Sequence, residues 1–258
     1  MTEAYVFQSA LRDFLRAKRI LIWMFVALIL FGLAKIFLSA NPPAKPDEAY
    51  ATLSTLLVFR VLPLAAAIFS SAVIGQEVEQ KTIVYLLTRP VQRWKLVLFR
   101  SCAAAVAVMI VAVAAMIAVS AAVYTNPFAN PLFFHDLQAV LIGSLAYCAL
   151  FVFVTLLLSK AAMVVCLLFA FVWETAVPLM PGSMSLLSIG TYLNAIAQHP
   201  STKGEANGDL GDAAANLGIN SLSASTGWVA MLFVAVFFAG LCMFWFERFE
   251  YLPREDAE

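Results

Sequence analysis

Six long apolar runs, separated by short polar stretches, decide what this chain can become. They cover roughly residues 20–39, 52–75, 96–124, 137–158, 161–181 and 227–246. A hydrocarbon layer about 30 Å thick is crossed by about 20 helical residues at 1.5 Å each. Hydrophobic residues make up 63% of the chain and charged residues only 12%, against about 25% charged in a typical soluble domain. Runs of this length would be surplus to one soluble core, so the expected class is all-α: a polytopic membrane protein with six transmembrane helices in a single domain. The formal net charge is zero, which gives no basis for nucleic-acid binding.

The charged residues are sorted by side. Arg12, Arg16, Lys18, Arg19, Lys81, Arg89, Arg93, Lys95, Arg100, Lys160, Arg248 and Arg254 fall on one side of a six-span layout, and Lys35, Lys45 and Lys203 on the other. The positive-inside rule then predicts both termini in the cytoplasm. Trp94 and Trp245 at the inner level, with Tyr124 and Trp228 at the outer one, suit the aromatic belts. Residues 1–19 read as an interfacial amphipathic helix with Phe7, Ala10, Leu11 and Phe14 on one stripe. Residues 182–226 read as an extracytoplasmic loop holding a short helix over 186–197, and this loop is a candidate docking site for an extracytoplasmic partner. Stretches 41–50 and 125–136, each rich in proline, read as loops.

Residues 76–95 carry the most specific pattern. Glu77 and Glu79 come first, then Thr82, Ile83, Leu86 and Leu87, the apolar ones at helical spacing. Arg89-Pro90 breaks that run, and a second helix begins near Gln92 with Arg93 and Lys95. These residues, with Val91, resemble the cytoplasmic coupling elbow between the second and third spans of type-2 ATP-binding-cassette (ABC) exporter permeases. Lys81 departs from that pattern where glycine is usual, and Arg100 where lysine is commoner. The resemblance implies a permease subunit that is not itself an enzyme. It implies ATP and Mg on a separate cytoplasmic ATPase, a second permease half that is either another copy (a homodimer) or a sister chain, and a prokaryotic inner membrane. The chain itself has no GxxxxGK[ST] phosphate loop. In the elbow, Ile83, Leu86 and Leu87 would dock apolar surface on the ATPase, while Glu77, Glu79, Arg89 and Arg93 would fix orientation.

Arg60 and Glu174 are two charges of opposite sign placed inside predicted spans. Each lies about seven residues from the outer end of its run, or about 10 Å down by helix rise. A lone charge there costs about 2.5–3.5 kcal/mol on insertion scales, so the two are expected either to pair or to line a polar pathway; the alternative is that each snorkels separately to the headgroups. Pro63 and Pro178 in the same runs suit kinks. Cys102, Cys148, Cys166 and Cys242 sit in apolar runs as small hydrophobes. His135 and His199, far apart in sequence, do not make a metal site. No Ser/His or HExxH arrangement supports an intramembrane enzyme. A membrane anchor or assembly factor without transport is the rival reading, and flux stimulated by an ATPase separates the two.

Overall fold

A computed structural model describes residues 2–40, 45–73, 93–124, 126, 128, 130–158, 161–179, 182–199 and 222–248. Among these there is no β-strand. The chain opens with α1 (Thr2–Phe14) and turns at Leu15–Arg16 into α2 (Ala17–Ala40). The predicted single helix over the N-terminal segment is therefore two. Ala10 and Phe14 of the predicted stripe are buried, and the Phe14 ring meets Phe69 edge-on at 5.9 Å. The apolar face of α1 thus packs on the bundle.

Helix α2 is apolar all round, and Leu21, Met24, Leu28 and Ile36 are each more than 60% exposed. A helix with no polar face and most of its surface uncovered needs hydrocarbon as its solvent. The second span starts earlier than predicted, with α3 (Pro46–Leu53), a wide π turn (Ser54–Val58) and α4 (Phe59–Ser71). Helix α5 (Arg93–Val123) follows, then α6 (Pro131–Leu157). Stretches 41–50 and 125–136 were expected to be loops because of their prolines. Instead Pro46 and Pro131 occupy first-turn positions, where proline's missing N–H costs nothing. Asn130 completes the α6 start, its side chain accepting from the Leu132 N–H at 3.0 Å.

Alanine makes α5 a packing helix. Ala103, Ala104, Ala107, Ala112 and Ala115 are buried, and their small side chains let neighbouring helices close in. The predicted fifth span is the one that departs most. It comprises α7 (Ala162–Leu168), a second π turn (Phe169–Trp173), α8 (Glu174–Ala176) and a 3₁₀ turn (Val177–Leu179). Among the described residues five helices are long and apolar enough to cross a membrane, and the segment Ala162–Ala176 is a shorter apolar helix. The predicted fifth span is described as this shorter helix, broken by its π turn.

After it the chain folds back. A 3₁₀ stretch (Gly182–Leu187) leads to α9 (Ile189–Ala197), whose Ile189, Leu193, Ile196 and Ala197 are buried. This part of the predicted outer loop is packed against α6 and α10 (Ala224–Arg248). Gly227 of α10 makes the approach possible: a Cβ there would stand 2.9 Å from Ile196 Cγ1 and 3.1 Å from the Tyr192 carbonyl oxygen.

Candidate functional site: polar locks around a buried helix

Helix α9 is held at both ends by buried polar groups from other helices. At its start, Ser188 has extended backbone but makes no side-chain cap of its own. Glu174 supplies the cap from α8. Its carboxylate accepts from Ser188 Oγ at 2.6 Å, Ile189 N at 3.2 Å and Gly190 N at 3.1 Å. The first N–H groups of a helix have no partner within it, and the helix dipole favours negative charge there. Both effects stabilise a carboxylate that is only 5% exposed. Gly190 leaves room for it, since a Cβ would lie 3.0 Å from Glu174 Oε2. Tyr147 of α6 packs within electrostatic reach of the same carboxylate.

Arg60 of α4 reaches the same residue at a different atom. Its Nη1 donates to the Glu174 main-chain oxygen at 2.8 Å and to Thr175 Oγ1 at 2.6 Å. In an α-helix that carbonyl would take the N–H of residue 178, and Pro178 has none. The guanidinium supplies the missing donor. The two charged residues are therefore neighbours, joined through main chain and a hydroxyl, while the carboxylate is turned to α9.

The far end of α9 closes differently. Gln198 takes a left-handed conformation, φ 51°, as the C-terminal cap. That turn delivers His199 into the bundle. His199 Nε2 lies 2.7 Å from Asp136 Oδ1 and its Nδ1 3.0 Å from Thr55 Oγ1. Its ring stacks on Phe59 at 5.6 Å. Asp136 is fully buried and also accepts from Ser54 Oγ at 2.5 Å. The π turn places Ser54 and Thr55 on this cluster, and such turns often mark functional positions. Thr55 has one hydroxyl hydrogen, and its Oγ1 lies 2.9 Å from the Ala51 carbonyl. The His199 tautomer sets which atom donates in its contacts with Thr55 and Asp136.

Beside this cluster lies an open groove of about 650 Å³ whose lining includes Lys45, Asp47, Tyr124, Asn130, Leu132 and Gln198. Asp47 accepts from Tyr124 Oη and Asn130 Nδ2, both at 2.7 Å. Burial first, and then the bond to Asp47, hold the Tyr124 phenol well above its usual range, so it remains a donor. Tyr50 and Tyr124 rings meet at 5.4 Å. The buried Tyr50 hydroxyl lies beside Asp136 without a hydrogen bond of ordinary geometry.

Sequence reasoning singled out Arg60 and Glu174 but not Asp136 or Ser54, and it treated His199 as isolated. The elbow residues Glu77, Glu79, Thr82, Ile83, Leu86, Leu87, Arg89 and Pro90 lie outside the described residues. Arg93 opens α5. Among the described residues no group of three or more His, Cys, Asp or Glu side chains could hold a metal.

The five bilayer-length apolar helices among the described residues, with polar side chains gathered into buried locks, define an integral membrane protein of the polytopic helical class. No curated protein matches the chain. A family model described as ABC-2 family transporter protein matches residues 14–177, well over half of the chain. The chain belongs to that family, consistent with a permease subunit of the ABC-2 type. The matched region holds Arg60, Asp136 and Glu174, while their partners Ser188, Gly190 and His199 follow it.

Proposed function

We propose that this chain is the membrane-spanning permease of an ABC exporter, driven by ATP hydrolysis on a separate cytoplasmic ATPase. The observation that carries the reading is the family match across the apolar helices. The elbow motif at residues 76–95 and the one-sided distribution of Lys and Arg support it. In this reading both termini are cytoplasmic, the membrane is a prokaryotic inner membrane, and two copies of the chain enclose the substrate path. The polar locks then sit at the extracytoplasmic end, beside the 182–226 segment that would meet an outer partner.

The second span is the lever in this scheme. Its cytoplasmic end leads into the elbow. Its other end carries Ser54, Thr55 and Arg60, which meet Asp136 of α6, His199 just beyond α9 and Thr175 of α8 in turn. A tilt imposed on the elbow would load these bonds together, and α9 would shift as the outer gate. Rigid elements with two discrete arrangements are the physical requirement for such coupling.

Affinity purification from native membranes in mild detergent, with mass spectrometry of the eluate, tests the reading. An ATP-binding-cassette ATPase is expected with the wild-type chain and lost with Leu86→Asp plus Leu87→Asp. A folded wild-type chain that brings no ATPase would overturn it.

A further inference from the structure

The second span and the broken fifth carry the same irregularity in the same register. Each has a five-residue π turn, Ser54–Val58 in one and Phe169–Trp173 in the other. Pro63 stands nine positions after Ser54, and Pro178 nine positions after Phe169. The residue that closes each turn, Phe59 or Glu174, sends its N–H back five residues, to the carbonyl of Ser54 or Phe169. The proline then falls four residues beyond that closing residue and has no N–H to return to its carbonyl. We propose that the two stretches form one shared hinge, about which α4 and α7 swing together as a single body.

Packing gives the hinge its geometry. Helix α4 follows its π turn and α7 precedes its own, yet the two pack on each other, so the spans run antiparallel here. Arg60 belongs to the first irregular stretch, Glu174 and Thr175 to the second, and they are in direct contact. The two stretches therefore lie side by side at one level. Sharp bends in helices concentrate at prolines and π turns, where the main-chain ladder is already interrupted. One helix bending alone would pull away from its neighbour and open a void in a close-packed interior. Two that bend at the same level keep α4 against α7.

Arg60 ties the two halves of the hinge. It follows the first turn by one residue, and its Nη1 donates to the main-chain oxygen of Glu174 at 2.8 Å and to Thr175 Oγ1 at 2.6 Å, just after the second turn. The bond reaches main chain, so a change of direction in one span is passed to the backbone of the other. A kink of about 20° acting along the roughly 20 Å of α4 would carry its far end about 7 Å. That ATP drives the swing rests on the permease reading; the hinge itself does not.

Distances between spin labels, measured by double electron–electron resonance, test the hinge. The chain is purified with whatever accompanies it and placed in nanodiscs. The exposed Cys102 is replaced by alanine, and labelled chain is coexpressed with an excess of the Cys102→Ala chain so that pairs within one chain dominate. Phe134→Cys on α6 is paired in turn with Ile68→Cys on α4 and with Met163→Cys on α7. Phe134→Cys with Leu157→Cys, both on the unbroken α6, is the control, and all four positions are exposed. Pro63→Ala and Pro178→Ala, each made alone, restore one main-chain donor. Each is expected to move both the α4 and the α7 pair, by up to about 7 Å, and to leave the α6 pair in place. Trapping the accompanying ATPase with ATP and vanadate should move the same two pairs together in the wild type. A folded proline variant that moves only its own span, or neither span, overturns the shared hinge. Trapping that moves one pair alone, or neither, overturns it as well. Absence of any ATPase overturns the permease reading instead, and the proline variants then decide the hinge.

Discussion

Arg60 Nη1 lies 2.8 Å from the main-chain oxygen of Glu174, and the Glu174 carboxylate is spent on α9. Proximity of opposite charges here is not a salt bridge in the ordinary sense. The arginine replaces the N–H that Pro178 lacks, and the glutamate caps a different helix. A charge swap, Arg60→Glu with Glu174→Arg, is therefore expected to behave worse than either single change, since an arginine cannot cap a helix start. Yield of folded protein by fluorescence size-exclusion would show it. Rescue by the swap would mean that the two side chains interact directly.

Pro178→Ala should make Arg60 less important. It restores a main-chain donor to compete for the Glu174 carbonyl, so Arg60→Gln ought to cost less stability in that background. A net hydrogen bond to a charged group is worth about 1.5–3 kcal/mol, and a double-mutant cycle in detergent melts should recover a coupling of about that order. Strict additivity would contradict the substitution of one donor for the other.

The buried contact between His199 and Asp136 sets a second energetic expectation. Removing one partner of a buried pair strands the other, at a cost of about 3–5 kcal/mol when it stays charged. Asp136→Ala and His199→Ala should each lower the melting temperature strongly, with the double variant no worse than the worse single one. If His199→Ala melts with the wild type, the cluster does not hold the end of α9.

Gly190→Ala and Gly227→Val probe the two close approaches to α9. The first puts a methyl against the Glu174 carboxylate; the second puts a larger group against Ile196 and the Tyr192 carbonyl. Overpacking of this kind costs about 1–3 kcal/mol. Both variants should show faster proteolysis near residues 189–199 before any global loss of fold, and protection equal to wild type would count against α9 as a fixed element.

The sixth apolar run, near 227–246, became a helix over Ala224–Arg248, because a bilayer-length run carries its own length signal. Pro46 and Pro131 were harder: a proline cluster reads equally as a loop or as the first turn of a helix, and local sequence does not separate them. That ambiguity hid Tyr50 and Asp136, which it left in loops. Asp136 meets His199 across 63 residues of chain, and no spacing rule connects residues so distant. Equal depth did bring Arg60 near Glu174, but depth says nothing of which atom is met. The capping role required α9 to fold back, and an apolar run of nine residues gives no sign of its packing partner.

The two π turns, Ser54–Val58 and Phe169–Trp173, end immediately before Phe59-Arg60 and Glu174. A wide turn takes up one residue more than α geometry needs, which rotates everything beyond it by about 100° around the helix axis. Deleting a single residue from either turn would leave a straighter, more regular helix and still dismantle the locks, because Arg60 or Glu174 would then face a different neighbour. For anyone shortening or grafting these segments, the irregular turns are phase shifters, and ideal helical geometry is the wrong target.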